Sequence, residues 1–199
     1  MTREALKEIL AKHKLWLEEK DGGERADMWR ADMWRVDMRG ANMRRANLQY
    51  ADMQDVDMRG ADMRRADMQD ADMQEADMRG ANMQRANLQY ADMRHADMHG
   101  ANLEGADMHG ANLEGANMRG TDIDYSAWPL WCGSLKAHVD NRIAIQLLYH
   151  ALSVVQHSPY VSEDIKRTLL TPDVVKVANR FHRVGECEKL ETFNGGTNE

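Results

Sequence analysis

The sequence predicts a mainly β chain: a four-sided parallel β-helix of about five coils, with a capping helix before it and a small helical module after it. Three observations carry that expectation. A five-residue pattern runs from Ala26 to Tyr125 without insertion, 20 times in all. Its variable positions recur every 20 residues, so that Gly40, Gly60, Gly80, Gly100 and Gly120 form one column. Apolar residues at helical spacing occur only in the flanks, 1–25 and 126–199.

The pattern itself dictates strands. The first position is Ala in 17 repeats, and the third is Met in 15 and Leu in four (Leu48, Leu88, Leu103, Leu113). The second is Asp in 13 and Asn in seven. Residues two apart share a face of an extended chain, so Ala and Met face inward and Asp or Asn faces out. Two polar residues then turn the chain. A period of five fits neither an α-helix nor a coiled coil. Stacked short strands bury a continuous interior, and Met28, Met33, Met38, Met43, Leu48 and Met53 are its expected first members. Four patterns per 20-residue lap make a square, and five laps at about 4.8 Å make a rod roughly 25 Å long.

The repeats from ADMWR at Ala26 to TDIDY at Thr121 resemble the pentapeptide-repeat family, whose consensus is similar to A-(D/N)-L-x-x. The resemblance covers 26–125. It implies a right-handed quadrilateral β-helix. It also brings in members whose acidic rods occupy the DNA site of type II topoisomerases. This chain departs from the family in placing Met where Leu is commoner. Met has a compatible volume and packs adaptably.

The register assigns each charge to a face, counting every fourth repeat from Ala26. Face one is net −3, face two −5, face three 0 and face four +1, which sums to the −7 of the whole 199-residue chain. Asp32, Asp52, Asp55, Asp72, Glu75 and Asp92 on face two form the candidate acidic interaction face. On face one Asp and Asn alternate, which relieves repulsion between like charges one rung apart. On face three Arg39, Arg59, Arg79 and Arg119 stand beside an aspartate column, and mutual neutralisation is the expected reason.

Residues 2–20 read as an amphipathic helix with Thr2 as N-cap and a stop at Asp21-Gly22-Gly23. Its stripe of Leu6, Ile9, Leu10, His13, Trp16 and Leu17 suits a cap over the open end of the β-helix. Trp29 and Trp34 are expected beneath it. After Tyr125, residues 135–139 suggest a short strand. Asp140 then caps a helix to about Gln156 with Ile143, Leu147, Ala151 and Val155 on one stripe. Ser162 caps a second helix to Leu170, and Thr171-Pro172 opens a third to about Arg183. The tail from Asn194 is expected to be mobile. This module is larger than a cap requires, leaving a cap, a homodimer contact or a docking element open.

Chemistry is sparse. His95, His99 and His109 fall on three different faces and cannot converge on one metal. Cys132, His138, His150, His182 and Cys187 have no zinc-finger spacing, and the corner glycines form no G-x-G-x-x-G loop. No enzyme activity, cofactor or metal is expected. Two cysteines exclude a disulfide scaffold and fit a reducing, cytoplasmic setting. No run of about 18 apolar residues spans a membrane, and the charged first 25 residues contain no secretory apolar segment. The acidic balance argues against direct nucleic-acid or anionic-membrane binding. The expected function is a non-enzymatic scaffold with a protein partner. An acidic DNA mimic is the alternative, and a small metal or thiol site in 126–199 is a second.

Overall fold

The computed structural model of the protein describes residues 1–124, 126–127, 137–180 and 189–192. The chain divides into two compact units, Met1–Val139 and Asp140–Glu199.

In the first unit, each second-position residue bridges in parallel to the one 20 residues on: Asp27 to Asn47, Asp32 to Asp52, Asp37 to Asp57, Asn42 to Asp62, and so on down four columns. The strands are so short that each contributes a single bridge, yet the backbone is fully used. In the repeat at Ala46, Asn47 N–H donates to Ala26 C=O on the lap above. Leu48 and Tyr50 N–H donate to Asp67 and Gln69 C=O on the lap below. Ala46 N–H closes the corner onto Met43 C=O at 3.0 Å. The remaining donor, Gln49 N–H, goes to the Asn47 side-chain oxygen at 3.2 Å.

That last bond recurs in all 20 repeats, with the fourth-position N–H on the second-position Oδ1 at 2.9–3.3 Å. It explains why only Asp and Asn occupy the second position. Both bear an acceptor at the right distance from the backbone for this local turn, and an unpaired N–H at the corner would be costly. Sequence reasoning read these residues as outward-facing polarity and missed the bond. The signal was there in the interchange of Asp with Asn and with nothing else.

From Arg30 to Gly120 the fifth residue of each corner lies in the left-handed region, with φ +63° at Gly40 and +64° at Gly60 but also +56° at Arg35 and +60° at Arg45. Glycine meets this requirement freely, while other residues give up about 1 kcal/mol each.

First and third positions point inward as expected. Met28, Met33, Met38, Met43, Leu48 and Met53 are all 0–1% exposed. At about 1.5–3 kcal/mol per buried methionine, these columns are the main stabilising element of the β-helix.

Helix α1, Arg3–Leu17, closes the upper end. Thr2 Oγ1 accepts from Ala5 N–H at 3.2 Å. The helix stops before the glycine pair expected to end it. Glu19 takes φ +54°, and Lys20 N–H reaches Leu15 C=O at 2.9 Å, a glycine-free version of the usual C-terminal closure. Gly23 serves a different need, because a Cβ there would stand 2.3 Å from Trp16 N. Leu6 and His13 are the buried members of the stripe. His13 Nδ1 accepts from Ala26 N–H at 3.0 Å, and the terminal amine of Met1 donates to Asp32 C=O at 2.6 Å. Ala26 N–H has no preceding repeat to close its corner, and Asp32 C=O has no lap above it; these two bonds satisfy them. Trp29 and Trp34 are not beneath the helix. They occupy outward-facing fourth positions, half exposed, with Arg30 and Arg35 stacked on their rings at 4.4 and 4.3 Å.

At the lower end the ladder outlasts the sequence pattern. Ala127 bridges Asp107, and His138 bridges Asn117 at a spacing of 21 residues instead of 20. His138 sits within the segment read as a strand; 135 and 136 lie outside the described residues.

The second unit is built on α2 (Asn141–His157), α3 (Glu163–Leu169) and α4 (Pro172–Ala178). Asp140 and Ser162 cap α2 and α3 through their side chains; Thr171 stands at the α4 N-cap with Pro172 following, without a side-chain bond. Tyr149 and Leu152 pack with Leu170, Val175, Ala178 and Leu190. The buried stripe of α2 is therefore Ile143, Gln146, Tyr149 and Leu152. The expected stripe is rotated, and Ala151 is exposed, because the larger Tyr149 and Leu152 bury more area. Helix α4 ends at Ala178, and Asn179 ties its end to Leu190 by two side-chain bonds of 2.9 and 3.0 Å. The helix expected to run to about Arg183 is shorter, since Asn179 and Arg180 form a turn; 181–183 and the tail from Asn194 lie outside the described residues.

Candidate interaction faces

The four faces share one backbone and differ in how their charges are spent. On face one, Asn47 and Asn87 donate side-chain N–H to Asp27 and Asp67 on the laps above, at 2.8 and 3.0 Å. Gln49 and Gln89 reach down to Asp67 and Asp107. The Asp/Asn alternation therefore does more than dilute charge, because each amide bonds a neighbouring carboxylate.

Face three is a zipper. Arg39, Arg59 and Arg79 each grip the aspartate of their own rung, Asp37, Asp57 and Asp77, at 2.6–2.7 Å. Each also approaches the aspartate of the next rung, at 3.4–3.8 Å. Hydrogen bonds from the Arg39 guanidinium, then from its backbone N–H, hold the Asp37 carboxyl far below its ordinary pKa. Asp57 and Asp77 are lowered in the same way, with partial burial opposing.

Face two brings all six candidate acids together. Asp32, Asp52, Asp72 and Asp92 form one bridged column, and Asp55 and Glu75 occupy the adjoining corner. They are not equally free. Asp92 is gripped by Arg94 at 2.7–3.0 Å, and Asp55 accepts from Arg35 at 3.3 Å. Asp72 accepts from Gln54 and Gln74. Asp32 and Asp52 are exposed, and among the described residues their side chains accept only the backbone N–H of their own turns. Glu75 is exposed as well.

Face four is arginine-rich and concave. Arg44, Arg45, Arg64, Arg65 and Arg85 line a cleft of about 290 Å³. Arg64 is bonded to Asp62 at 2.6–2.8 Å. Burial pushes the Asp62 carboxyl up, and Arg64 outweighs it, so the net shift is downward.

His95, His99 and His109 stand on three faces, as the 20-residue lap requires. Among the described residues no group of three or more His, Cys, Asp or Glu is placed to hold a metal. Cys132, His182 and Cys187 lie outside the described residues. No described helix is long and apolar enough to cross a membrane.

A family model, pentapeptide repeats, matches eight copies over residues 24–60, 56–85 and 81–120. No curated protein matches the chain. Among solved structures, a pentapeptide repeat protein from the thylakoid lumen of Arabidopsis thaliana is 25% identical, aligning 62% of this chain with 77% of its own at a TM-score of 0.48. One from Nostoc Pcc 7120 is 23% identical over 65% of this chain and 93% of its own, with a TM-score of 0.43. The plasmid-mediated fluoroquinolone resistance protein QnrB1 is 20% identical over 65% and 91%, with a TM-score of 0.29. None of these three likenesses carries a partner across to this chain. Through the repeats of residues 24–120, whose Asp and Asn side chains close every corner, the chain belongs to the pentapeptide-repeat family.

Proposed function

We propose that the protein is a non-enzymatic interaction scaffold of the cytoplasm. Its right-handed, five-coil β-helix presents a fixed pattern of charge, and the module from residue 126 adds a further contact, to a partner or to a second copy. The observation behind this reading is the uneven spending of charge. On faces one and three, carboxylates are bonded by Asn, Gln or Arg. On face two, Asp32 and Asp52 project into solvent one rung apart, with Glu75 exposed on the next lap down. Such a patch, held by a rigid backbone, suits a protein partner with a basic surface.

A DNA mimic needs a continuous acidic track. Here Arg35 and Arg94 interrupt face two, and faces three and four carry arginines. The geometry therefore favours a local acidic patch over an imitation of duplex DNA.

The test uses Asp32→Asn, Asp52→Asn and Glu75→Gln together. Asn keeps the corner bond, so the variant removes charge without removing structure. Affinity capture from cell lysate with the full chain should yield a partner that the triple variant loses and that high salt releases. Equal recovery by both proteins would place the contact elsewhere.

A further inference from the structure

The cleft on face four is the feature that the acidic patch leaves unexplained. Its lining holds five arginines and Glu104, and with Asp62, the partner of Arg64, the local charge is +3 in a chain of net −7. Both carboxylates are already engaged. Asp62 holds Arg64 through Nε and Nη2, and Glu104 accepts from Gln84 Nε2 at 2.6 Å. Among the described residues, Arg44, Arg45, Arg65 and Arg85 have no carboxylate within ion-pair distance.

The backbone does not require this. On face three the same spacing is neutralised rung by rung, because Asp fills the second position at 37, 57 and 77. On face four that position is Asn at 42 and 82, and Asp62 between them pairs with fourth-position Arg64 and leaves fifth-position Arg65 unpaired. Asn42 and Asn82 accept the N–H of Arg44 and Gln84 at 3.3 and 3.1 Å, which Asp would do equally well. The choice of Asn changes only the charge. Together with the corner position of Arg45, Arg65 and Arg85, it leaves guanidinium groups on rungs about 5 Å apart without a paired carboxylate in a concave site. Such an arrangement is unfavourable when empty and suited to a ligand rich in anionic oxygens, since guanidinium forks match phosphate geometry.

The corner arginines Arg45, Arg65 and Arg85 span two rungs, roughly 10 Å, too far for one phosphate to engage all three. We propose that this cleft binds the phosphate chain of an oligophosphate, free or carried by a nucleotide. The proposal is independent of face two and of any protein partner.

The test is calorimetric titration of the full chain at low ionic strength with inorganic pyrophosphate, tripolyphosphate, a nucleoside triphosphate and the bare nucleoside. Tripolyphosphate should bind at one per chain, more tightly than pyrophosphate, and weaken with added salt. Arg65→Gln with Arg85→Gln should weaken it at least about tenfold, since each loses a charged hydrogen bond. Arg59→Gln with Arg79→Gln, on face three, should leave it within about twofold. Circular dichroism and melting of both variants report that the β-helix is intact. A nucleoside triphosphate equal to tripolyphosphate identifies the chain alone as the ligand; one clearly tighter identifies a nucleotide. Absence of binding by the unaltered protein would overturn the proposal, as would equal loss in both variants or equal binding of the bare nucleoside. A single-stranded oligonucleotide whose affinity exceeds that of tripolyphosphate and grows with length would also overturn it, in favour of a polymer track.

Discussion

Faces three and four hold arginines at the same 20-residue spacing, on the same backbone, with opposite outcomes. On face three each of Arg39, Arg59 and Arg79 lies between two aspartates. On face four Arg45, Arg65 and Arg85 line a cleft and, among the described residues, have no carboxylate within ion-pair distance. Two differences separate them: the face-three arginines are fourth-position residues beside a second-position Asp, whereas Arg45, Arg65 and Arg85 are fifth-position residues, and Asn stands in place of Asp at the second position of two of their three repeats. Asp and Asn both close the corner. The fold therefore tolerates either, and the charge of each face can be set without disturbing the backbone beneath it.

The largest expected effects test whether the difference is confined to the surface. Met58→Ala beneath face three and Met63→Ala beneath face four should each cost about 2–5 kcal/mol in denaturant unfolding, and by similar amounts. Unequal losses would mean that the two faces differ in packing as well. Next comes the corner bond. Asn82→Ala should cost about 1 kcal/mol and Asp57→Ala somewhat more, while Asp52→Asn should cost almost nothing. Equal losses for Asp52→Asn and Asp52→Ala would remove the role assigned to the side-chain oxygen.

Smaller effects should differ in sign. At low salt, Arg59→Gln with Arg79→Gln should lower the melting temperature, because it breaks the zipper. Arg65→Gln with Arg85→Gln should raise it, because it relieves repulsion. Added salt should shrink both differences. Shifts of the same sign would end the contrast between the faces.

Acidity separates a third contribution. Asp57 and Asp77 have lowered pKa values in the folded state. Their stabilisation is complete above the unfolded carboxylate value of about 3.9 and is lost as pH falls through the folded values. His13 acts in a higher window. Burial lowers its pKa, with the charges of Arg25 and Arg44 adding to the effect and a backbone interaction with Arg44 opposing it. The unfolded chain therefore takes up the proton first, and stability should decline as pH drops below about 6.5. Melting followed from pH 7 to 5 should show this decline, and His13→Leu should abolish it at the expense of the Ala26 N–H bond. A flat profile in the unaltered protein would show that His13 does not couple α1 to the first lap.

Much of this was legible in the residues alone because period is geometry. A step of five and a lap of 20 determine which side chains share a column, and so the inward methionines, the four faces and the net charge of each followed by counting. The cap helix and the caps of α2 and α3 followed from local backbone chemistry. The stripe of α2 was harder, because Ala151 and Leu152 are both apolar and only the packed neighbours decide which is buried.

The repeat, its register and the net charge of every face depend on spacing along one chain and can be counted from its residues. Which of those charges are paired depends on how the side chains meet once the coil has formed. Whether Arg94 reaches Asp92 on its own rung, whether Gln54 reaches Asp72 on the next rung about 5 Å away, and whether Arg65 reaches any carboxylate depend on side-chain conformation in the assembled coil. The same holds for the buried position of His13 and for the corner bonds of Asp and Asn, because a donor and an acceptor meet only when the turn has formed.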